Sequence, residues 1–360
     1  MTAVQRSHQF RASGGSLEAD APAAAGAIPR LVITEQPEHG VTLYAARLAG
    51  ALGGHPVDGT RAHAHFTDRL WGETPDAAAT AFEHLSARAP VTVTLHDVPQ
   101  PSDGEASLAR RADCYRRVVA AASGVVCNSG HEVELLRRFS GVAAEAAVIP
   151  LPVDPVDPVA DGRATVDPVM RGRAAAGGSV AVLGYVYPGK GHEQVIRAAA
   201  EAGGARALRS DASDGWPEVE ALGRASDGHD RDVEKLAALA ASVGVGFEVT
   251  GYLSDDELLA RSRRAGVPVI AHEHVSASGS LASWLSAGRR PVVVASPYME
   301  EMARLHPGAI TLTPGHGLAD AIARALADPA STWLAGDVRL GPTTAEVAEL
   351  YRAFWAEVRW

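Results

Sequence analysis

The sequence predicts an α/β protein made of two Rossmann-like, doubly wound parallel-sheet domains that face a common cleft. Short apolar runs of strand length alternate with longer amphipathic segments, which is typical of a parallel sheet covered by helices. A proline-rich interval, residues 153–178, interrupts this alternation and divides the chain into two similar halves. In such a fold we expect the ligand outside the carboxyl ends of the strands.

The first half alternates from its beginning. Strands are predicted at 28–34, 62–66, 91–95, 124–127 and 146–151, and helices at 41–52, 76–87, 107–122 and 131–139. These elements define a domain over residues 29–152. The preceding residues, 1–28, are rich in Ser, Gly and Ala and are predicted to be a mobile tail.

The alternation restarts after the linker and defines a second domain over residues 179–342. Strands are predicted at 179–183, 219–222, 247–250, 267–271, 291–294 and 309–312, and helices at 192–202, 230–243, 254–264, 281–287, 298–305 and 317–327. A last helix is predicted at 343–358, within a terminal segment 343–360. Ser254 and Glu257 have the spacing of a capping box, and Gly288 is predicted to end a helix.

Composition excludes several function classes. The 360 residues are 46% hydrophobic and 21% charged, and the net charge of −10 argues against a nucleic-acid partner. No apolar run approaches the roughly 20 residues of a membrane span, and the start lacks a signal-peptide pattern. Cys114 and Cys127 lack metal-ligand spacing and indicate a reducing compartment. We therefore expect a cytoplasmic protein.

The strand–loop–helix–strand unit over residues 267–296 is the first candidate ligand site. Gly279 and Ser280 begin its helix, where bare backbone N–H groups and the helix dipole favour a phosphate. Ser278, just before them, adds a hydroxyl. The same residues also fit an ordinary tight turn between a strand and a helix.

Four motifs of the second half occur in a fixed order. They are residues 184–191 (GYVYPGKG), 251–258 (GYLSDDEL), 271–278 (AHEHVSAS) and 283–293 (SWLSAGRRPVV). In this order they resemble the motifs G-R-x-x-x-x-K-G, G-x-(L/V)-S-D-x-E-L, P-S-x-x-E-G-F-G and E-A-M-A-x-G-x-P-V-V of the family-4 glycosyltransferases, which have the GT-B fold. The first half is similar more loosely, at residues 38–41 (EHGV), 95–97 (LHD), 126–132 (VCNSGHE) and 148–153 (VIPLPV).

The resemblance implies a hexosyltransferase of carbohydrate biosynthesis. Such an enzyme moves a sugar from a nucleotide-diphosphate sugar to a carbohydrate, lipid or small-molecule acceptor, with retention and without a metal. The diphosphate gathers negative charge as it leaves, so the site needs cations and N–H donors. The resemblance also implies that the last helix crosses back to the first domain.

Specific residues acquire roles from the resemblance. Lys190 and the amides of Gly279 and Ser280 would hold the diphosphate, and His96 would lie near the transferred sugar. His39 would contact the acceptor or a phosphate. The remaining donor residues would surround the base, the ribose and the diphosphate: Gly40, Gly184, Tyr185, Gly223, Arg224, Tyr252, Leu253, Ser278 and Ser283. A plain surface role for Lys190 and a structural one for His96 are the alternatives.

Three positions depart from the family pattern. Tyr185 stands where an arginine is expected, and Val275 and Ser283 stand where two glutamates are expected. Glu273 restores a carboxylate if the loop shifts slightly. The lost cation has candidate replacements in Arg224, Arg289 and Arg290, of which the last two are predicted to be exposed after a helix.

These departures leave two other functions open. One is a non-catalytic nucleotide-sugar-binding or scaffold relative, and the other is a sugar-nucleotide epimerase. A further open question concerns four arginines of one helix, which would either meet an anionic membrane surface or simply form a solvated face: Arg110, Arg111, Arg116 and Arg117.

Overall fold

The computed structural model of the protein describes residues 26–37, 39–142, 145–156, 179–207, 218–273 and 275–360. The predicted tail up to residue 25, Glu38 of the first glycine loop and most of the predicted linker, residues 157–178, lie outside these ranges. The described chain divides into two compact units. The first comprises the residues up to Ile149 together with Val347–Trp360, and the second comprises Pro150–Glu346.

The first unit contains a parallel sheet of five described strands. Their spatial order follows the chain: β1 (Ile28–Val32), β2 (Val57–Phe66), β3 (Val91–Leu95), β4 (Gly124–Cys127) and β5 (Ala146–Val148). Strand β2 is longer than predicted. The prediction missed its first residues because most of them are exposed and carry no apolar pattern. Its second half pairs with β3 from Ala62↔Val91 to Phe66↔Leu95.

Helices cover both faces of this sheet. They are α1 (Gly40–Ala51), α2 (Asp68–Trp71), α3 (Pro75–Ser86), α4 (Glu105–Ala121) and α5 (Gly130–Ser140). The short helix α2 is absent from the sequence-based prediction. Side chains alternate along β2, so Phe66 packs against Phe82 of α3 and Tyr115 of α4. His63 and His65 point to the other face, where α1 contributes Tyr44.

The second unit contains six described strands, all parallel. They are β6 (Val180–Leu183), β7 (Glu218–Leu222), β8 (Gly246–Val249), β9 (Val267–Ile270), β10 (Val292–Val294) and β11 (Thr311–Thr313). Their spatial order is β11-β10-β9-β6-β7-β8. The chain therefore moves outward from β6 to β8 and then returns to the opposite side of β6. This reversal positions the candidate site described below.

Helices connect these strands: α6 (His192–Ala207), α7 (Asp230–Ser242), α8 (Asp255–Arg264), α9 (Gly279–Ser286) and α10 (Pro297–Leu305). Two more helices follow β11, α11 (Leu318–Ala327) and α12 (Thr344–Glu357), and the residues of α12 from Val347 onward belong to the first unit. Ser254 and Glu257 form the predicted capping box of α8. Gly288 follows α9 with a φ of 79°, the left-handed conformation in which glycine ends a helix.

Each unit has its own apolar core. The core of the first unit includes Phe66, Phe82 and Tyr115, and a core of the second unit includes Trp284 and Met299. Cys114 and Cys127 are free and buried. The predicted α/β class with two parallel sheets is confirmed. Among the described residues, no helix is both long enough and apolar enough to span a membrane.

Candidate functional site

The strand reversal of the second unit defines one crevice. Strands β6 and β9 are neighbours, but the chain leaves them in opposite directions along the sheet. The loops that follow such a pair of strands separate, and ligands of open α/β sheets bind between them. These loops are residues 184–191 after β6 and residues 271–278 after β9.

Glycines let the two loops approach closely. Gly184 has a φ of 114°, and a Cβ atom there would lie 2.9 Å from the Nζ atom of Lys190. Gly191 has a φ of 92°, and its Cβ would lie only 2.0 Å from the carbonyl oxygen of Ala271. A side chain at either position would displace Lys190 or separate the loops.

Lys190 is buried in this crevice, with 6% of its surface exposed. Its Nζ donates a hydrogen bond to Oγ of Ser280, at 3.1 Å. No carboxylate of the described residues forms an ion pair with it. Burial lowers the pKa of the Lys190 ammonium to about 7. The alternative of a plain surface lysine is therefore wrong.

The amino end of α9 lies at the same place. Ser278 caps this helix, because its Oγ accepts a hydrogen bond from the amide of Leu281 at 3.2 Å. The Ser278 amide donates to the hydroxyl of Tyr298. Oγ of Ser278 lies 3.3 Å from Oγ of Ser280, and Gly279 between them is exposed. The structure thus brings Lys190 together with the predicted phosphate-binding serines.

Two buried histidines of the crevice were missed by sequence reasoning. His192 begins α6 with 2% of its surface exposed, and His272 follows β9. Within the described chain, neither ring nitrogen of His192 has a hydrogen-bond partner. Burial, with the nearby Lys190, lowers the pKa of His192 to about 3 and that of His272 well below its usual range. The sequence offered one signal for each histidine: His192 lies two residues after Lys190, and His272 lies just after the predicted strand at residues 267–271.

Tyr185, the first departure from the family pattern, forms a cation–π contact. The guanidinium of Arg224 lies 5.0 Å from the centre of the Tyr185 ring. The backbones are joined, since the amide of Val186 donates to the carbonyl of Arg224 at 2.9 Å. Arg224 also forms an ion pair with Asp227 at 2.9 Å. The Asp227 side chain is almost fully exposed. The neighbouring Gly223 donates its amide to Oγ1 of Thr250.

Val275 and Ser283, which stand where the family has two glutamates, and the nearby Glu273 have different surroundings. Val275 is buried in the apolar core of the second unit. Glu273 is exposed, and its amide donates to the carbonyl of Gly189 at 3.0 Å. One carboxylate oxygen of Glu273 would lie 4.0 Å from a Cβ atom at Gly189. The hydroxyl of Ser283 donates to the carbonyl of Gly279 in its own helix.

Tyr252 and Leu253 follow β8 and differ in exposure. The Tyr252 ring is 72% exposed, whereas Leu253 packs against the core of the second unit. The aromatic ring of Tyr252 is therefore accessible to a ligand, whereas the Leu253 side chain contributes to the core.

Arg289 corrects a prediction. It was expected to be exposed after a helix, but it is fully buried. Its guanidinium donates to the carbonyl oxygens of Ser262, Ala265, Gly266 and Thr332, and stacks on the ring of Trp333. The five N–H groups of arginine match this set of carbonyls. Arg289 is thus a structural residue and not a candidate for the missing cation.

In the first unit, His96 lies in a buried polar layer between the sheet and helices α1 and α12. Its Nε2 is 3.2 Å from Nδ1 of His65, and burial lowers the pKa of His96 to about 3. His63 bonds to the hydroxyls of Thr92 and Thr94 through its two ring nitrogens. The layer continues through the hydroxyls of Tyr351 and Tyr44. His96 therefore has partners within the protein.

His39 and Gly40 lie at the beginning of α1. Nδ1 of His39 accepts a hydrogen bond from the amide of Val41 at 3.2 Å, so this side chain caps the helix. Burial, with the nearby Arg69, lowers the pKa of His39. Apart from its chain neighbours and the backbone of its own helix, no described atom lies within 4 Å of a Cβ placed on Gly40. The space beside this glycine is open.

The arginines of α4 do not form a free basic face. Arg111 is buried and pairs with Asp68, Asp97 and Asp103. Arg117 pairs with Asp76 and Glu83, and Arg116 pairs with Asp113. Carboxylates therefore neutralise three of the four charges of Arg110, Arg111, Arg116 and Arg117, which argues against the membrane-contact alternative.

The two sheets and their helices define a GT-B fold, as comparison with solved structures shows. HepE of Anabaena, in complex with UDP and glucose, has a TM-score of 0.67 and 16% identity, covering 92% of this chain and 99% of that chain. Sucrose-phosphate synthase of Thermosynechococcus elongatus has a TM-score of 0.58 and 17% identity, covering 88% and 76%.

A third similar structure is a UDP-forming trehalose-phosphate synthase of Burkholderia vietnamiensis, with a TM-score of 0.54 and 15% identity, covering 81% and 70% of the two chains. No protein-family model matches the sequence, and no curated protein matches it. At these identities the likeness establishes the fold. Within the described residues, no group of three or more His, Cys, Asp or Glu side chains could hold a metal ion.

Proposed function

We propose that this chain is a glycosyltransferase that moves a sugar from a nucleotide-diphosphate sugar to an acceptor, with retention and without a metal. The observation that carries the proposal is Lys190, a buried cation without a carboxylate partner at the strand reversal. A buried charge of this kind is costly unless something compensates it. A diphosphate supplies the missing negative charge.

The surroundings of Lys190 suit a diphosphate leaving group. Helix α9 begins at Gly279, and helix α6 begins at His192, two residues after Lys190. The amino ends of helices attract anions through their free N–H groups and their dipole. The hydroxyl of Ser280 bonds to Lys190 and offers a further contact. Negative charge that develops on the leaving group is stabilised by such fixed donors.

Arg224 supplies a second cation in this proposal. The family arginine is replaced by Tyr185, but Arg224 lies over the Tyr185 ring and brings a guanidinium to the same turn. Its pairing with the exposed Asp227 is weak, because solvent screens surface ion pairs. A phosphate can therefore exchange for this carboxylate. Tyr252, with its exposed ring, is proposed to stack on the base.

Calorimetry against UDP-, GDP-, ADP- and dTDP-glucose tests the donor site. UDP-glucose is the first candidate, because similar structures were solved with UDP or UDP-glucose. We expect Lys190→Ala to weaken binding about 100-fold, since a charge-assisted contact is lost. Lys235→Ala is the matched control, because Lys235 is an exposed lysine on α7. Absence of binding to every nucleotide sugar would overturn the proposal.

A second candidate function is nucleotide-sugar binding without catalysis. The observation that favours it is Val275, which is buried where the family has a glutamate near the sugar. Glu273 is the remaining carboxylate beside the Lys190 turn. Donor hydrolysis by the wild type and by Glu273→Gln distinguishes the two functions. A slow hydrolysis that the substitution abolishes supports catalysis, whereas tight donor binding with no turnover supports the binding function.

A further inference from the structure

Lys190, His192 and His272 form a group that we call the buried base cluster. All three are at least nine-tenths buried, and they come from the ends of β6 and β9 and the beginning of α6. Each lies close enough to affect the protonation of another member. In the described part of the chain the Lys190 ammonium has one hydrogen-bond partner, a neutral hydroxyl, and His192 has none.

The elements around the cluster do not neutralise it. Tyr185 and Tyr187 lie on the turn before Lys190. On α6, Glu193 is exposed and pairs with Arg197 at 2.9 Å. After β9, the Glu273 side chain is exposed. Arg224, on the turn after β7, is a further cation. A protonated cluster would therefore place positive charge in a buried site with no paired carboxylate among the described residues.

The choice of lysine at this site is chemically informative. Lys190 and Lys235 are the only lysines of the sequence, in which 33 residues are Lys or Arg. Arginine keeps its charge at every accessible pH, whereas a buried lysine readily releases its proton. A lysine can therefore be neutral in the empty site and charged in the occupied one, which an arginine cannot.

We propose that the buried base cluster takes up about one proton from solvent, at Nζ of Lys190, when a nucleotide diphosphate binds. The empty site avoids a buried charge by leaving the cluster unprotonated. A bound diphosphate favours the protonated form and converts Nζ into a charged donor. The inference rests on the proposed donor site and adds to it that donor binding is proton-coupled.

The pH range of the effect follows from the sign of the shift. Burial lowers the pKa of Lys190 to about 7, so the free amine predominates at pH 8. An anion raises this pKa, and uptake is largest between the free and bound values. Affinity for the donor should therefore fall up to about tenfold per pH unit above pH 7. Below pH 7 the lysine is already charged, and we expect less uptake.

Calorimetry with UDP-glucose at pH 8 in HEPES and in Tris, two buffers of different ionisation enthalpy that carry no phosphate, measures the uptake. The diphosphate of UDP-glucose has no ionisation near neutral pH, so the buffer dependence of the heat reports protons bound by the protein. We expect about one proton for the wild type. Lys190→Arg, which stays charged, should bind with little uptake, and Lys235→Arg should behave as the wild type.

Carbon NMR of protein labelled at the lysine Cε positions gives a second readout that needs no variant. The two lysines produce two signals, and the exposed Lys235 serves as the internal reference. We expect Lys190 to titrate near neutral pH when free and well above it with UDP-glucose.

Different results separate the inference from the proposed function. Donor binding without buffer dependence would overturn the proton coupling but leave the donor site intact. A Lys190 pKa near the ordinary lysine value of 10.5 in the free protein would also overturn the coupling, whether or not a donor binds. Absence of binding to every nucleotide sugar would overturn the proposed function and the coupling with it.

Discussion

Arg111 and Lys190 are buried cations, one in each unit, with opposite surroundings. The Arg111 guanidinium donates to the carboxylates of Asp68, Asp97 and Asp103. The Lys190 ammonium donates to one neutral hydroxyl, that of Ser280. The comparison separates two uses of a buried charge. A cation saturated by the protein stabilises the fold, whereas a cation left without an anion is available to a ligand.

The histidines of the two units differ in the same way. Both ring nitrogens of His63 have hydroxyl partners in the first unit. Neither ring nitrogen of His192 has a partner among the described residues of the second unit. Burial lowers the pKa of each to about 3. Hydrogen-bond satisfaction, and not the pKa shift, therefore distinguishes His63 from His192. Nε2 of His65 in the same polar layer lacks a partner among the described residues, so the distinction holds for this pair and not for the whole layer.

Removal of Arg111 should have the largest effect on stability. Arg111→Met leaves three carboxylates without their cation, and we expect a loss of about 3–5 kcal/mol of unfolding free energy. Arg111 also donates to the carbonyl of Asp97, a residue with a left-handed φ of 51°. Chemical denaturation measures the loss, and Arg116→Met, at an exposed ion pair, is the control. Equal stability of the two variants would contradict the structural role.

Removal of the Lys190 amine should raise the free energy of unfolding, whereas removal of Arg111 should lower it. Lys190→Met replaces an uncompensated buried amine by an apolar chain of similar length, so we expect the ligand-free protein to gain about 2 kcal/mol at pH 6.5. The lowered pKa means that the wild type recovers this difference as the pH rises from about 7 to about 10.

Denaturation of both proteins across this pH range measures the change. Burial raises the pKa of Cys114 to about 12, and this acts in the opposite direction, so the informative quantity is the difference between the two proteins. A destabilised Lys190→Met at pH 6.5 would mean that Lys190 contributes to the fold as Arg111 does.

The smallest of the three effects is expected in the polar layer of the first unit. The Tyr351 hydroxyl lies 2.7 Å from Oγ1 of Thr94 and 3.2 Å from the hydroxyl of Tyr44. Tyr351→Phe leaves these buried groups with one partner fewer and should cost about 1–2 kcal/mol in thermal or chemical denaturation. Tyr252→Phe, on an exposed ring, should leave stability unchanged. No loss for Tyr351→Phe would mean that the layer is not fully satisfied.

Much of the fold was predictable because local rules and tertiary structure agree. The alternation of apolar runs and amphipathic segments predicted the strands to within a few residues, and the Ser254–Glu257 spacing predicted the cap of α8. Strand β2 was underestimated because its first half is exposed and has no apolar pattern. The four-residue helix α2 is too short to produce a helical period.

The candidate site was predictable in part. The turn around Lys190 and the serines at the start of α9 follow from glycine spacing and helix capping, which are properties of neighbouring residues. The environment of Arg289 was not predictable, because its carbonyl partners lie 23 to 43 residues away in sequence. The partners of Arg111 are similarly remote, at up to 43 residues. A motif specifies a residue type but not the atoms that will surround it.

The sequence by itself determined the α/β class, the order of the elements and the glycine-bounded turn at residues 184–191, because these depend on period, capping and backbone conformation. The tertiary structure alone decided which buried charges are paired. Burial and partner atoms come from residues that are distant in the chain and meet only after the sheets form. For that reason the sequence presents Arg111 and Lys190 simply as two basic residues. Only the folded chain shows that Arg111 already has carboxylate partners.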